Sequence, residues 1–279
     1  MPDKYKKLGL IILSFAFCFL ANCAVNPITG EEELMLISED QDVQIGREYA
    51  PEVEKQLGGK IKNEALQNYI DSVGQRIARI SHRPDWQYHF IAVNHSMVNA
   101  LALPGGYVFV TKGMLEKLTT EAQLSALLSH EMVHIVARHS SAAMSNQIGL
   151  SMLIQGLGAA GALPDSEAGY RLTQLAWQLI DLKYSREQER QADLAGMDYM
   201  VRAGYNPYGA VELIQMLEQQ DRIRPIEFLS SHPSPENRIT YLTVRAQTRY
   251  ADFSNLRIAK EDYQKDVLNR LSSDEFNQP

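Results

Sequence analysis

Two histidines and a glutamate stand within five residues at His130-Glu131-Met132-Val133-His134. Residues four apart on a helix lie on nearly one face. His130 and His134 can therefore aim two imidazoles at one ion, and Glu131 stands near enough to hold a water on it. Zinc takes neutral imidazole nitrogens and brings the pKa of a bound water toward ~7. An adjacent carboxylate can take that water's proton and pass it to a leaving amine. The chemistry indicated is metal-assisted hydrolysis. From the chain's own His and Glu content the pattern arises by chance in about one chain in a hundred. Its setting argues against chance. Leu124, Leu127, Leu128 and Ile135 form an apolar stripe that the three residues interrupt. Buried ionisable groups are costly unless paired or metal-bound. A core histidine explains one of the three, not all.

A catalytic zinc needs a third protein ligand and an open position. Residues 184–193, YSREQERQAD, offer one. Glu189 and Asp193 share a helix face with Ala192 and Gly196, small residues that let a neighbouring helix come close. Glu189 is assigned as the third ligand, although spacing alone barely separates it from Glu187. Asp193 would hold a ligand histidine by its other ring nitrogen. Arg186, Glu187 and Arg190 read as a solvated face. His139 is too near in sequence to reach back along the same helix. It reads as a helix C-terminal residue complementing the dipole.

The elements that must position these residues follow from periodicity. Ser38 caps a helix from about Glu39, with Val43, Ile45 and Tyr49 as its apolar face and Leu57-Gly58-Gly59 as its end. Residues 63–80 repeat an apolar stripe at Leu66, Ile70, Val73, Ile77 and Ile80. Residues 88–93 and 107–111 read as strands around the turn Pro104-Gly105-Gly106. Thr120-Glu121-Ala122-Gln123 is a capping-box signature opening the helix of the two histidines. Residues 167–203 read as one helix closing at Gly204 and Pro207, with further helices at 208–221 and 235–248. The apolar, glycine-rich stretch 148–163 reads as a mobile segment near the site. A membrane hairpin is disfavoured by its length and by Gln155. The last residues, from 272, read as disordered. No internal repeat is visible, and the short stretch after 249 leaves no room for a helical-repeat partner domain. The predicted fold is mainly α with a small β-sheet, an active-site helix and an edge strand beside the cleft.

The net charge of −7 argues against a nucleic-acid partner. The one basic block is at the extreme N-terminus, where Lys4, Lys6 and Lys7 precede the apolar run 8–20. That run is short of the roughly 20 residues of a spanning helix and suits a secretory signal. It ends in Leu20-Ala21-Asn22-Cys23, which resembles a bacterial lipobox with Cys23 as the lipidated first residue. Asn22 departs from the usual small residue there, and an uncleaved anchor is the alternative. Either way an exported, membrane-tethered domain is expected. Loss of residues 1–22 would remove Asp3 and three lysines and take the charge from −7 to −9. With Cys18 inside the signal and Cys23 lipidated, no thiol remains for a disulfide, a metal or a nucleophile. The expected division is a signal at 1–22, a lipidated lead at 23–40, a zinc metallopeptidase domain at 41–249 and a C-terminal helix or tail at 250–279.

These residues resemble the gluzincin metallopeptidases related to the CaaX prenyl protease and the HtpX membrane peptidase, in their exported, often lipidated, periplasmic branch. The resemblance rests on Asn26-Pro27-Ile28-Thr29-Gly30, on residues 99–106 (NALALPGG), on the His130–His134 motif, on residues 189–193 (ERQAD) and on residues 231–238 (SHPSPENR). It implies one zinc ion held by His130, His134 and Glu189, with Glu131 as general base. Asp193 would be the acid behind a ligand, described in some accounts as a proton donor. Asn99, Ala100, Leu101 and Ala102 belong to a segment, 99–110, that would end in an edge strand pairing with extended substrate. That mode reads shape more than sequence. His232 would lie at the cleft, either stabilising the oxyanion or capping the zinc as a fourth ligand. Arg238 would anchor its loop or face the oxyanion. The implied substrates are misfolded or unassembled envelope polypeptides, with envelope assembly machinery as a partner. Ala24 after Cys23 favours the outer membrane, facing the periplasm. Two other readings stand beside this one. The first is a zinc-dependent chaperone or assembly factor with a latent peptidase site, and the second is a structural zinc lipoprotein.

Overall fold

A computed structural model describes residues 23–146, 178–180, 182–250 and 252–273. The proposed signal, the whole glycine-rich stretch 148–163 and the extreme C-terminus lie outside them. Strands β1 (Cys23–Val25) and β2 (Glu32–Leu34) form an antiparallel hairpin. Its turn is closed by Gly30 N–H donating to Asn26 O at 2.8 Å. Helix α1 (Glu39–Gln56) starts where expected, with Ser38 and Gln41 forming a reciprocal capping box. Its buried face differs from the apolar one predicted. Asp42, Gly46, Ala50 and Val53 face inward, and Val43 is 47% exposed. The cause is an ion pair, because Arg138 Nε donates to Asp42 Oδ2 at 2.5 Å. That buried pair turns the polar side of α1 to the core.

Helix α2 (Glu64–Ala78) follows the predicted stripe. Leu66, Ile70, Val73 and Ile77 are fully buried, each contributing about 1.5–3 kcal/mol relative to exposure. The sheet has three strands, one more than predicted. They are β3 (His89–Val93), β4 (Ala100–Leu103) and β5 (Tyr107–Thr111), in the order β3-β5-β4. β5 is central, parallel to β3 and antiparallel to β4. The edge strand of segment 99–110 is therefore its first half, β4, and not its end. β4 reads ALAL and is buried throughout, so it shows no alternation to detect. The turn into β5 uses Gly105 and Gly106 at φ 78° and 97°.

A short helix α3 (Lys112–Leu115) leads to α4 (Glu121–Val136), which carries the two histidines. Thr120 accepts from Gln123 N–H, but the Gln123 side chain bonds Thr119 N–H, one residue before the cap. Every residue of α4 is buried. It is the central rod of the core, packed by α2, β4, α5 (Arg186–Arg202) and α6 (Tyr208–Ile223). The predicted helix 167–203 does not run through. Residues 182–185 are not helical, and Ser185, in extended conformation, opens α5 with its own capping box to Gln188. Helices α7 (Glu227–Ser231) and α8 (Arg238–Arg249) flank the loop of His232. The chain then continues through α9 (Lys260–Tyr263), a π-turn (Gln264–Leu268) and α10 (Asn269–Ser272). Tyr263, Val267 and Leu271 join the same core as α4. No described helix is long and apolar enough to cross a membrane.

Candidate metal centre

The site forms where α5 crosses α4. Gly196 makes the crossing possible, since a Cβ there would stand 3.1 Å from His130 N and 3.3 Å from His130 Cα. At this close approach three side chains converge. His130 Nε2 and His134 Nε2 are 3.1 Å apart. Glu189 reaches them with Oε2 3.3 Å from His130 Nε2 and Oε1 3.4 Å from His134 Nε2. His232 enters from its loop, with Nδ1 2.9 Å from Glu189 Oε1 and 3.3 Å from His130 Nε2. One donor atom from each of His130, His134, Glu189 and His232 lies within 4.8 Å of the others. Glu187 takes no part in this cluster.

Each of the two α4 histidines is held from behind. His130 Nδ1 lies 3.1 Å from Asp193 Oδ1, as the spacing predicted. Arg238, 1% exposed, donates to both Asp193 oxygens at 2.7 and 2.6 Å, and Tyr241 O–H donates to Oδ2. Burial works against the Asp193 carboxylate, but Arg238 and His130 outweigh it and hold its pKa below the usual range. The Asp193 carboxylate is thereby kept ionised, with both oxygens engaged behind His130. Arg238 ties the end of the His232 loop to α5 and also lies 3.5 Å from Glu189 Oε2. Burial also favours a neutral Glu189, but His232 and His130 pull its carboxyl well below the usual range. For His130 burial favours the neutral ring, yet Glu189 and Asp193 push its pKa up to about 9.

His139 departs from expectation. α4 ends at Val136, and Arg138 adopts φ 56°. That reversal swings His139 back, so its Nδ1 lies 2.9 Å from His134 Nδ1. Tyr184 stacks on His134 with ring centroids 3.8 Å apart, and Phe228 stacks on His232 at 4.3 Å. Sequence reading missed both. Their only signal was an aromatic close to each motif, which is too common to use.

Glu131 is fully buried, and neither carboxylate oxygen has a hydrogen-bond partner among the described residues. His232 Nε2 is 3.6 Å from its Oε1. Burial raises its pKa, opposed by His232 and His130. The buried set holds three carboxylates, Glu131, Glu189 and Asp193, against one guanidinium, Arg238. With neutral imidazoles it carries two excess negative charges, which a divalent cation would balance. Nitrogen and carboxylate donors at this convergence suit zinc. The residues present fit the ion.

The sequence pattern of Peptidase family M48 matches residues 64–246. The chain belongs to that family. The span includes every side chain of the cluster, four donors that could hold a metal ion. The chain is similar to the beta-barrel assembly-enhancing protease of Escherichia coli (strain K12), 29% identical over 234 residues, covering 79% of this chain and 47% of that protein. It is similar to the mitochondrial metalloendopeptidase OMA1 of Schizosaccharomyces pombe, 26% identical over 235 residues, covering 83% and 68%. It is also similar to the mitochondrial metalloendopeptidase OMA1 of Homo sapiens, 29% identical over 264 residues, covering 84% and 47%. The chain spans about half the length of the first of these relatives.

The expected substrate residues lie on β4 and just before it, and β4 packs on α4. Asn99 is 2% exposed, and its Oδ1 has no partner among the described residues. Ala100, Leu101 and Ala102 form β4, which is paired on one side only among the described residues. Phe228 N–H donates to Val98 O at 3.2 Å, so the His232 loop is tied to the entry of β4. Cys23, the expected lipid site, is exposed at the start of β1.

Proposed function

We propose that this chain is a zinc metalloendopeptidase of the cell envelope, tethered by lipid at Cys23, that cleaves misfolded or unassembled envelope polypeptides. The observation that carries the reading is a buried Glu131, without a hydrogen-bond partner among the described residues, in the motif that supplies two donors of the converging His130, His134 and Glu189. The names of the relatives, a beta-barrel assembly-enhancing protease and mitochondrial metalloendopeptidases, support peptidase action. Zinc held by the three side chains would supply Lewis-acid polarisation and a more acidic water. Glu131 would take that water's proton on a carboxylate oxygen and deliver it to the leaving amine. An extended substrate would add to the free edge of β4 by backbone hydrogen bonds. Glu131→Gln tests the mechanism. Cleavage of an unfolded envelope polypeptide should fall about 10²–10⁴-fold with zinc content unchanged. Wild-type turnover in that variant would sink the proposal.

A second reading, a latent peptidase acting as an assembly factor, is favoured by one feature. His232 completes a four-donor set and is itself 1% exposed. A fourth protein ligand would fill the position that catalysis needs open. His232→Ala separates the two readings. A rise in cleavage establishes restraint by His232, and a fall makes it part of the reaction.

A further inference from the structure

His134 shows Nε2 to the cluster and Nδ1 to His139. His139 is fully buried, and its Nε2 lies 3.2 Å from Gln191 Oε1. Asn26 Nδ2 donates to the same oxygen at 3.5 Å. The direction of Asn26 is fixed independently. Its Nδ2 also donates to Glu33 Oε1 at 2.7 Å, and its Oδ1 accepts from Ile28 N–H at 2.9 Å. Gln191 therefore turns a carbonyl oxygen toward both Asn26 and His139.

Proton counting then sets the whole chain. A ring nitrogen that ligates zinc carries no proton. Ligation through His134 Nε2 puts that ring's proton on Nδ1. His139 Nδ1 must accept it, so His139 carries its own proton on Nε2. That N–H donates to Gln191 Oε1. A proton on His139 Nδ1 in place of Nε2 would oppose the His134 proton across 2.9 Å and leave Gln191 Oε1 with only the longer 3.5 Å bond from Asn26.

We propose that His139, fixed by Gln191 and Asn26, is the positioning residue that sets the tautomer and ring direction of His134 for zinc. The inference rests on the zinc reading above. It makes the two α4 histidines unequal. His130 is backed by the Asp193 carboxylate, whereas His134 is backed by a neutral imidazole. It also gives the Asn26–Gly30 turn a task. That turn ends a hydrogen-bond chain that begins at the metal centre.

The test uses the full chain, with zinc dissociation constants from chelator competition and ¹⁵N spectra of the histidine rings in the zinc-loaded protein. His139→Leu cannot accept the His134 proton, while in His139→Asn the Oδ1 can stand where Nδ1 stood. His139→Leu should weaken zinc about 10–100-fold, and His139→Asn should keep most of the affinity. The spectra of the unaltered protein should show His139 protonated on Nε2 alone and His134 on Nδ1 alone. Unchanged affinity in His139→Leu, equal losses in both variants, or a proton on His139 Nδ1 would each overturn the proposal. If His139→Leu does not fold, the spectra of the unaltered protein decide. An unaltered chain that binds no zinc would instead remove the metal reading itself.

Discussion

Replacing Arg238 with methionine probes the buried charges directly. The guanidinium is 1% exposed and makes two short charge-assisted bonds to Asp193, at 2.7 and 2.6 Å. Without it, metal-free protein would hold three buried carboxylates opposed only by His130, whose pKa Glu189 and Asp193 push up to about 9. Removing one partner of a buried ion pair costs about 3–5 kcal/mol. At about 2–4 °C per kcal/mol for a domain of this size, Tm should fall by about 6–20 °C. The measurement is calorimetry of chelator-treated protein, repeated with zinc. Zinc should narrow the gap, because it supplies part of the missing positive charge. The double variant Arg238→Met with Asp193→Leu should regain stability, since removing both partners is less costly than removing one. It should not regain zinc affinity, because His130 has lost its carboxylate. A fall in Tm below about 3 °C for Arg238→Met would refute the charge argument.

Two further outcomes are expected. Glu121 receives hydrogen bonds from Tyr69 and Tyr205 and pairs with Arg76 and Arg257. Burial opposes its charge, but these partners win and lower its pKa. A carboxyl lowered in the fold stabilises above its unfolded pKa of about 4.3 and loses that stabilisation as pH falls through the folded value. Glu121→Gln should thus lower Tm at pH 7 and converge on the unaltered protein at acid pH. A pH-independent gap between the two melting curves would contradict this. Gly196→Val should force α5 away from His130, costing about 1–3 kcal/mol by overpacking. Zinc affinity should fall with it, and a valine variant binding zinc normally would show that the crossing has slack.

The site was legible because helix geometry carries it. His130 with His134 and Glu189 with Asp193 are each one helical turn apart, and small Ala192 and Gly196 mark the contact. The stripe of α2 was legible for the same reason. The rest depended on partners far away in sequence. Asp42 faces inward only because Arg138, 96 residues later, meets it. Nothing local announces the reversal at Arg138, which is neither Gly nor Asn, so the return of His139 was hidden. β4 is four consecutive buried residues, too short and too uniform to read as a strand. The start of α5 was written in Ser185 and Gln188, but the helical pattern before it masked the cap.

The excess of buried carboxylates at the centre ties the life of the chain to metal supply. A ligand that binds only the folded state stabilises it by mass action, by about 2.7 kcal/mol when its free concentration is 100 times Kd. That is a large share of the roughly 5–15 kcal/mol that holds a domain folded. Zinc here would then set how long the molecule survives as well as whether it cuts. In a zinc-starved compartment the chain itself would drift toward the unfolded condition proposed for its substrates.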